Sequence, residues 1–512
     1  MNAILVSAVV VACVLGSSQV HAQETPRAGG VLKVATIGEP PTLDIPTSTA
    51  TIVYEIMWHV HEGLFTYDRA WNPVPLLAES DAASDKGIRH TITLRKGVKF
   101  HNGKEMTAAD VVPSLQRWGR VATIGKQVWK FVEAVEAKDA YTVVISLKQP
   151  TASLLFGLAE PHASIYPKES VEAAGDGQLK EFVGTGPFRF VEHRPDRHIK
   201  LARFKEYAAR SDPPNGFGGK RTAWVDEILF IPVPDTAVRM AGVETGDYHH
   251  AMFVKQDYWE RIKTLPQLES RIVKPRGWAV AVLNHKAGPL TTKKLRQAFQ
   301  AALDMDPIMT AGFAHKDFYR LDPGLFFPEQ PWHSAASAQL YNQRDKAKAQ
   351  RLLKEAGYAR QPLRWVTNRE YEFMYKTALV AKQQLEEVGF VIDLQVVDWA
   401  TQENRTEKPE LWEVFSTGFV FAADPVNHVS LRCTFKGWWC LEEKEKLMAD
   451  LRLETDVKRR KAIIERLQAI FYEDVGTVKL GDYFTLDPAR RELRGDFRTA
   501  PRMYFWNTWL AK

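Results

Sequence analysis

The stretch 183–190, Val-Gly-Thr-Gly-Pro-Phe-Arg-Phe, is the sequence feature that most constrains how this chain folds. Gly184 and Gly186 tolerate backbone angles that other residues avoid, and Pro187 fixes its own φ, so the segment predicts a tight turn. The two phenylalanines then alternate with polar residues, which is typical of a strand leaving the turn. A self-contained αβ segment precedes the turn and strand-rich sequence follows it. We therefore predict that the chain here re-enters a domain that it left earlier.

The length and the charge of the chain limit the class of protein to which it can belong. The 512 residues are 45% hydrophobic and 25% charged, which is typical of a globular chain with two or three domains of roughly 100–200 residues each. The 68 basic and 62 acidic residues are interspersed and leave a net charge of +6. No basic run of the kind that nucleic-acid-binding proteins carry is present. We therefore expect no nucleic-acid partner.

The amino terminus indicates export. Residues 4–15 form an apolar run that falls short of the roughly 20 residues needed to span a bilayer, and Val20-His21-Ala22 follows as a fitting signal-peptidase site. We predict a signal peptide over residues 1–22 and a periplasmic mature protein. The segment before Ile4 carries no Lys or Arg, which is unusual for a signal peptide. A lipid anchor at Cys13, which follows Val-Val-Ala, is the alternative.

The mature chain keeps two cysteines, Cys433 and Cys440, which can pair in an oxidising compartment. Such a bridge would contribute roughly 2–3 kcal/mol by closing a small loop. A metal site would need more Cys or His at ligand spacing. His59, His61 and Glu62 do not form the His-Glu-x-x-His pattern. We therefore predict a disulfide, no metal site and no cofactor.

Catalytic patterns are missing from the sequence. It contains no Gly-x-Ser-x-Gly elbow, no Cys-x-x-Cys and no complete dinucleotide fingerprint. A hidden pair of carboxylates stays open, because Asp and Glu are plentiful. The 15 Trp and 15 Tyr suit an organic ligand as well as a large core. An exported, aromatic-rich chain of this kind is better explained by binding than by catalysis.

Helices that end at a glycine and lead into a strand recur in the second half of the chain. A helix over 371–388 ends at Gly389, and an alternating strand over 390–397 follows. A further helix over 345–356 ends at Gly357, and a long helix is predicted over 456–475. This order of elements predicts an α/β fold.

Nine short segments occur along the chain in an order that points to one family. They are Gly29-Gly30-x-Leu32, Glu62-Gly63-Leu64, Pro75-Leu76-Leu77-Ala78, Leu94-Arg95-x-Gly97-Val98-Lys99-Phe100-His101-x-Gly103, Thr107-Ala108-x-Asp110-Val111, Gly184-Thr185-Gly186-Pro187-Phe188, Val225-Asp226-Glu227-Ile228, Arg296-Gln297-Ala298, and 348–357 with Tyr358. Together they resemble the family 5 solute-binding proteins of ABC importers, which include periplasmic dipeptide-, oligopeptide- and nickel-binding proteins. The resemblance covers nearly the whole mature chain.

The resemblance implies a fold of the periplasmic binding protein type II kind, with two hinged α/β lobes and an extra smaller domain. Domain I would comprise 29–58, 183–275 and 483–512, domain II would be 59–182, and domain III, the second ligand lobe, would be 276–482. Two crossing strands would join the lobes, which close over the ligand by a hinge motion.

The function implied by the resemblance is capture of a peptide or related small organic solute and its delivery to an ABC permease in the inner membrane. The protein would be a monomer and not an enzyme. Three alternatives stay open: a secreted hydrolase with a hidden carboxylate pair, a nickel or haem carrier suggested by His249-His250, and a ligand-presenting partner of a membrane sensor.

The resemblance also suggests which residues meet the ligand. In peptide-binding relatives, an Asp four residues before a Pro pairs with the peptide's α-ammonium group. Here Phe421 stands four residues before Pro425, so this carboxylate is missing unless Asp424 substitutes for it. A buried ammonium without a partner is costly. The sequence therefore favours an uncharged, aromatic-stacked or anionic ligand.

Asn368-Arg369 resembles the segment whose arginine meets the ligand carboxylate in dipeptide-binding relatives, and an arginine fork suits a carboxylate. The alternative is a surface arginine that pairs with Glu370 or Glu372. Four aromatic residues are predicted to form pocket walls, with core packing as the alternative for each: Phe419, Phe421, Trp399 and Trp278.

Overall fold

The computed structural model of the chain describes residues 25–495 and 501–511. The predicted signal peptide and Cys13 lie outside these residues. Three sheets of four or more strands organise the described part, and helices pack against them. The α/β fold class is confirmed.

The first sheet has seven strands and is mostly buried along its centre. Leu32 and Val34 of its central strand are fully buried because alternate side chains of a strand point to the same face. The central strand pairs in parallel with two neighbours, and the other pairings are antiparallel. The order across the sheet is Leu268–Glu269, Ala489–Arg490, His250–Ala251, Val31–Thr36, Glu227–Pro232, His198–Arg203, Phe188–Arg194.

The second sheet has six strands and forms the other large core. Its longest strand, Ile272–Leu283, is buried continuously from Gly277 to Leu283, as expected for an apolar run covered on both faces. The order across the sheet is Tyr319–Arg320, Val478–Leu486, Ile272–Leu283, Val414–Val420, Leu363–Thr367, Ile392–Val396.

A third, smaller sheet is antiparallel throughout and packs against the helix Ala108–Val121. The Thr107 N–H donates a hydrogen bond of 3.1 Å to the Asp110 carboxylate at the start of this helix. The order across the sheet is Ala78–Ser84, Arg89–Leu94, Thr142–Leu147, Val132–Asp139. Two short hairpin-like pairs join Phe65–Tyr67 to Pro73–Pro75 and Leu493–Gly495 to Thr508–Leu510.

The helices follow the sequence pattern closely in the second half of the chain. The predicted helix over 371–388 is found as Glu372–Val388, and Gly389 ends it with a φ of 111°. The α-helices of the described residues are Thr51–Met57, Ala108–Val121, Thr123–Trp129, Ser153–Leu158, Lys168–Ala174, Thr236–Thr245, Trp259–Thr264, Lys293–Ala302, Met305–Phe313, Lys346–Glu355, Glu372–Val388, Trp399–Thr406, Glu442–Leu453 and Val457–Asp474. None of the helices within 25–495 and 501–511 is long and apolar enough to cross a membrane.

The turn at 183–190 leads the chain from the small sheet back to the edge of the first sheet, as predicted. The reason for its glycines differs from the prediction, because neither has a φ in the left-handed region. A Cβ on Gly184 would lie 2.0 Å from the Val60 carbonyl oxygen, and a Cβ on Gly186 would lie 2.4 Å from that of His59. The glycines are therefore required by close backbone approach.

Candidate ligand site

The chain passes between the two large sheets along two adjacent strands. Ile272–Leu283 and Val478–Leu486 pair antiparallel, with Ile272 opposite Leu486 and a register shift between Val273 and Gly277. Past Leu486, the Asp487 N–H donates a 2.8 Å hydrogen bond to the Arg271 carbonyl oxygen. The chain then joins the first sheet as the strand Ala489–Arg490. These two segments are the crossing between the sheets.

A cavity of about 220 Å³ lies beside this crossing. Its walls come from the helix Thr51–Met57, from the first sheet, from both crossing segments and from residues 501–503 near the carboxyl end. Its lining is rich in charge: Glu55, His250, Met252, Phe253, Glu269, Ser270, Arg271, Ile272, Val273, Arg276, Thr485, Asp487, Pro501, Arg502 and Met503. A cavity with walls from both sheets changes shape if the sheets move relative to each other.

Glu55 is a poorly compensated carboxylate in this cavity. It is 2% exposed, in a helix whose other inward residues are apolar. Its Oε1 accepts one long hydrogen bond, 3.5 Å, from the Met503 N–H, and its Oε2 has no partner among the described residues. Burial raises the pKa of Glu55 to about 7, although Arg276 lowers it, and Asp487 raises it further.

Asp487 is the second buried carboxylate of the cavity, but it is better satisfied. It accepts a 3.0 Å hydrogen bond from the Phe253 N–H. Burial raises the pKa of Asp487 to about 6, and the Phe253 hydrogen bond and Arg276 counteract this rise.

Two further residues of the lining have a buried donor atom without a partner among the described residues. Arg502 donates through Nη2 to Glu160 Oε2 at 2.9 Å, while its Nη1 is buried and has no partner within 25–495 and 501–511. The Thr485 hydroxyl is in the same situation. Arg276 donates to the Pro501 carbonyl oxygen at 3.0 Å and stacks on the Phe253 ring at 4.5 Å. Because buried polar groups are nearly always hydrogen-bonded, this cavity is suited to a polar solute that supplies the missing partners.

Comparison with known proteins identifies the family. The sequence profile described as bacterial extracellular solute-binding proteins, family 5 Middle, matches residues 72–434. This match spans well over half of the chain. The chain belongs to family 5 of the bacterial extracellular solute-binding proteins.

Individual family 5 relatives match along almost the whole length. A probable peptide ABC transporter periplasmic-binding protein, y4tO, from Sinorhizobium fredii is 26% identical over 485 residues, which is 91% of this chain and 90% of that protein. The solved structure of DppA from Helicobacter pylori in complex with the peptide STSA superposes with a TM-score of 0.76 at 22% identity, covering 95% of this chain and 99% of that one. AppA from Bacillus subtilis in complex with a nonapeptide gives a TM-score of 0.75 at 23% identity, with 95% and 100% covered. The two structures support the fold.

Two of the predicted pocket aromatics of this family 5 protein lie in the core of the second sheet. Trp278 and Phe419 face each other in register on neighbouring strands, and both are buried. The Trp278 ring packs 4.4 Å from the ring of His428 and lies under the Lys479 ammonium at 4.6 Å. These contacts are those that core packing, the alternative interpretation, predicts for both residues.

Phe421 and Asp424 lie where segment 276–482 contacts segment 59–182. The Phe421 ring centre is 4.2 Å from that of Trp71. Asp424 is buried and forms a 2.9 Å ion pair with Arg460, and it accepts a 2.8 Å hydrogen bond from the Ser153 hydroxyl. Asp424 therefore already has a cationic partner. This leaves it poorly placed to replace the missing carboxylate that pairs with the ligand's ammonium group in peptide-binding relatives.

Asn368 and Arg369 are adjacent in sequence but lie in different surroundings. Asn368 is buried, donates to Gln402 Oε1 at 2.9 Å and accepts from the Tyr371 N–H, so it holds the turn before the helix. Arg369 is exposed, and its guanidinium lies 4.5 Å from the Tyr375 ring centre and donates to the Tyr375 hydroxyl. It pairs with neither Glu370 nor Glu372, because the former caps Trp399 and the latter binds Lys376.

Trp399 begins the helix Trp399–Thr406 and is half-buried, with its ring 5.0 Å from that of Tyr371. The seven predicted ligand residues thus lie outside the lining of the cavity. Their contact with a ligand stays a prediction.

The predicted cysteine pair is bonded in the structure, with 4.7 Å between the Cα atoms of Cys433 and Cys440. The two histidines that suggested a metal carrier, His249 and His250, have different surroundings. His249 Nδ1 accepts a 2.9 Å hydrogen bond from the Lys33 N–H, and burial lowers the pKa of His250 in the cavity wall to about 3. Within the described residues, no group of three or more His, Cys, Asp or Glu side chains is placed to hold a metal ion.

Sequence reasoning missed the residues that line the cavity. Glu55, Arg276, and the pair Asp487 and Arg502 come from three parts of the chain that are far apart in sequence. One signal was available: Glu55 is the only charged residue in the apolar run 51–57, and a lone acid in such a run requires a polar partner.

Proposed function

We propose that this protein captures a short peptide or a related amino-acid-derived solute outside the cytoplasm and delivers it to the permease of an ABC importer. The observation that carries this proposal is the cavity beside the crossing strands, whose walls come from both large sheets. In its lining, Glu55, Thr485 and Arg502 each have a polar atom without a partner among the described residues. Relatives described as peptide-binding, or solved with a peptide, support the substrate class.

The volume of the cavity argues for a small solute. At about 220 Å³, it is smaller than the roughly 300–1,000 Å³ of pockets that hold drug-sized ligands. A ligand confined to it has the size of one or two amino-acid units. We therefore propose a smaller ligand than the nonapeptide bound by AppA.

The remaining parts of the proposal follow the transport role. The protein is a monomer that reaches the periplasm after cleavage of residues 1–22, and its ligand leaves chemically unchanged. The domain limits are 29–58 with 183–275 and 483–512, then 59–182, then 276–482, in line with how the strands divide among the three sheets. The lobes close as a hinge about the crossing strands.

Native mass spectrometry on protein isolated gently from the periplasm tests the proposal. We expect a small bound mass that is released on denaturation and that rebinds to the emptied protein in calorimetry. Recovery of the same mass after prolonged incubation would exclude the hydrolase alternative, whereas a shortened product would support it. An emptied protein that binds no peptide or amino-acid derivative would overturn the proposal.

A further inference from the structure

We propose that Glu55 binds a cationic nitrogen of the ligand, so that the solute carries a free ammonium or guanidinium group. This inference rests on the proposed function and specifies the ligand that the cavity accepts. It departs from the expectation drawn from the sequence, which favoured an uncharged or anionic ligand because Phe421 occupies the place of the usual ammonium partner.

Glu55 differs from the other acidic groups of the cavity in its partners. Glu269 pairs with Arg271 at 3.2 Å, and Asp487 accepts a 3.0 Å hydrogen bond from the Phe253 N–H. Glu55 has only a 3.5 Å bond from the Met503 N–H, and no cation of the described residues forms an ion pair with it. Among the acidic groups of the lining, Glu55 is the one with the least compensation.

The two arginines of the lining that act on Glu55, Arg276 and Arg502, already bind other groups. Arg502 binds Glu160 Oε2 at 2.9 Å, and Arg276 donates to the Pro501 carbonyl oxygen and stacks on Phe253. These arginines influence Glu55 from a distance without making an ion pair with it. A carboxylate buried without a hydrogen-bonded counter-ion is unfavourable, so a ligand cation that reaches Oε2 is bound strongly.

Two donor atoms belong to other residues of the same lining. Arg502 Nη1 and the Thr485 hydroxyl are buried and unpartnered in the part of the chain that the structure describes. They suit an anionic or carbonyl oxygen of the same ligand. One acceptor and two donors in a cavity of about 220 Å³ match a compact solute with both a cationic nitrogen and a carboxylate or carbonyl group.

The groups that face Glu55 define its environment. Tyr54 precedes it on the same helix, Arg276 and Asp487 come from the crossing segments, and Arg502 comes from the carboxyl end. His250 lines the same cavity. Arg276 and Arg502 are the cations of this set, and neither forms an ion pair with Glu55, so the counter-ion is left to the ligand.

The test uses the mature protein emptied of ligand and an enzymatic casein hydrolysate as the probe, in one aliquot untreated and in a second aliquot acetylated at its amines. Native mass spectrometry identifies the peptides that wild type binds, and the tightest one is synthesised with a free and with an acetylated amine for calorimetry. We expect acetylation to weaken binding at least about 30-fold, in line with loss of a buried charge pair. We expect Glu55→Gln to weaken binding of the free-amine peptide by a similar factor.

Two controls make the outcomes distinct. Glu260→Gln replaces an exposed glutamate bonded to Lys263 at the surface, and it leaves affinity unchanged. The acetylated peptide tests the inference even if Glu55→Gln misfolds. Equal affinity for both forms of the peptide, or full affinity in a folded Glu55→Gln variant, overturns the inference and leaves the proposed function intact. Wild type that binds no component of either aliquot overturns the proposed function, and the inference with it.

Discussion

Glu55 and Asp424 are both carboxylates that are 2% exposed at places where separate segments of the chain meet, yet their partners differ. Asp424 has Arg460 at 2.9 Å, the Ser153 hydroxyl at 2.8 Å and the Val426 N–H at 3.2 Å. Glu55 has one long hydrogen bond and an oxygen with no partner among the described residues. Asp424 is therefore built into the scaffold, whereas Glu55 is destabilising until something binds it. In this protein, whether a buried charge has a partner distinguishes a structural residue from a candidate ligand-binding residue better than the degree of burial does.

The largest effect is expected at Asp424. Asp424→Ala leaves the Arg460 guanidinium buried without its counter-ion, and breaking such a pair costs about 3–5 kcal/mol. Scanning calorimetry of the ligand-free protein should show a lower Tm for this variant. A loss below about 1 kcal/mol would mean that the Asp424 pair contributes little, and the contrast with Glu55 would fail.

At Glu55 we expect a substitution to raise the free energy of unfolding, the opposite of the effect at Asp424. Its pKa is about 7 in the folded protein against a usual 4.5, so ionisation is harder in the folded state. The cost is absent below pH 4.5, grows as the pH rises towards 7 and is complete above 7, where it reaches about 3 kcal/mol. Glu55→Gln removes this cost. The ligand-free variant should therefore be more stable than wild type at pH 8.

Calorimetry at pH 8 and at pH 5 checks this prediction, because the gain in Tm should shrink strongly at the lower pH. The matched control is Glu260→Gln, which should leave the Tm unchanged at both values. A Glu55→Gln variant that is less stable than wild type at pH 8 would show that the carboxylate is satisfied in the free protein, contrary to the comparison.

A smaller effect is expected in the pH dependence of binding. A ligand cation favours ionised Glu55, so at pH 6 the free protein must release about one proton when the amine-bearing peptide binds, and affinity should fall about fivefold between pH 7 and pH 6. Asp487 titrates nearby, with a pKa raised by burial to about 6, while Tyr54, whose pKa burial also raises, stays neutral. Arg276 and Arg502 are the cations that act on Glu55. Calorimetry at pH 6 in phosphate and in Bis-Tris buffer, which differ in their enthalpy of ionisation, measures the released proton.

Asp487→Asn separates the two carboxylates in that measurement. Proton release should persist in this variant and vanish in Glu55→Gln. If proton release vanished only in Asp487→Asn, the titrating group would be Asp487 and not Glu55. Asp487 would then be the carboxylate that meets the ligand.

Local elements could be predicted from the sequence because their causes are local. The helix Glu372–Val388 ends at Gly389 because only glycine adopts a φ of 111° easily. The turn at 183–190 was correctly placed as a return to an earlier sheet, but its glycines are needed for the approach of Val60 and His59. Those residues are more than a hundred positions away in the sequence, so the physical reason could not be deduced from the turn itself.

The site could not be predicted in the same way. Asp424 looked like a candidate ligand for an ammonium because of its position before Pro425, and its pairing with Arg460 depends on a helix that follows much later. Glu55, Arg276 and Arg502 meet only after the crossing strands and the carboxyl end have come together. Family resemblance predicts where ligands bind in general, whereas the charge balance of this cavity follows from its own tertiary contacts.

The smallest effect on stability is expected at Arg369, and this makes it a sensitive probe of the ligand. Its side chain is exposed and its guanidinium lies against Tyr375, so Arg369→Gln should change the free energy of unfolding by less than about 0.5 kcal/mol. If the ligand carboxylate reaches Arg369, the same variant should weaken binding about tenfold or more, measured by calorimetry with the amine-bearing peptide. Unchanged affinity would instead indicate that the ligand stays within the cavity, with Arg502 and Thr485 as its donors. Because stability is nearly unaffected, a change in affinity can be assigned to direct contact with the ligand.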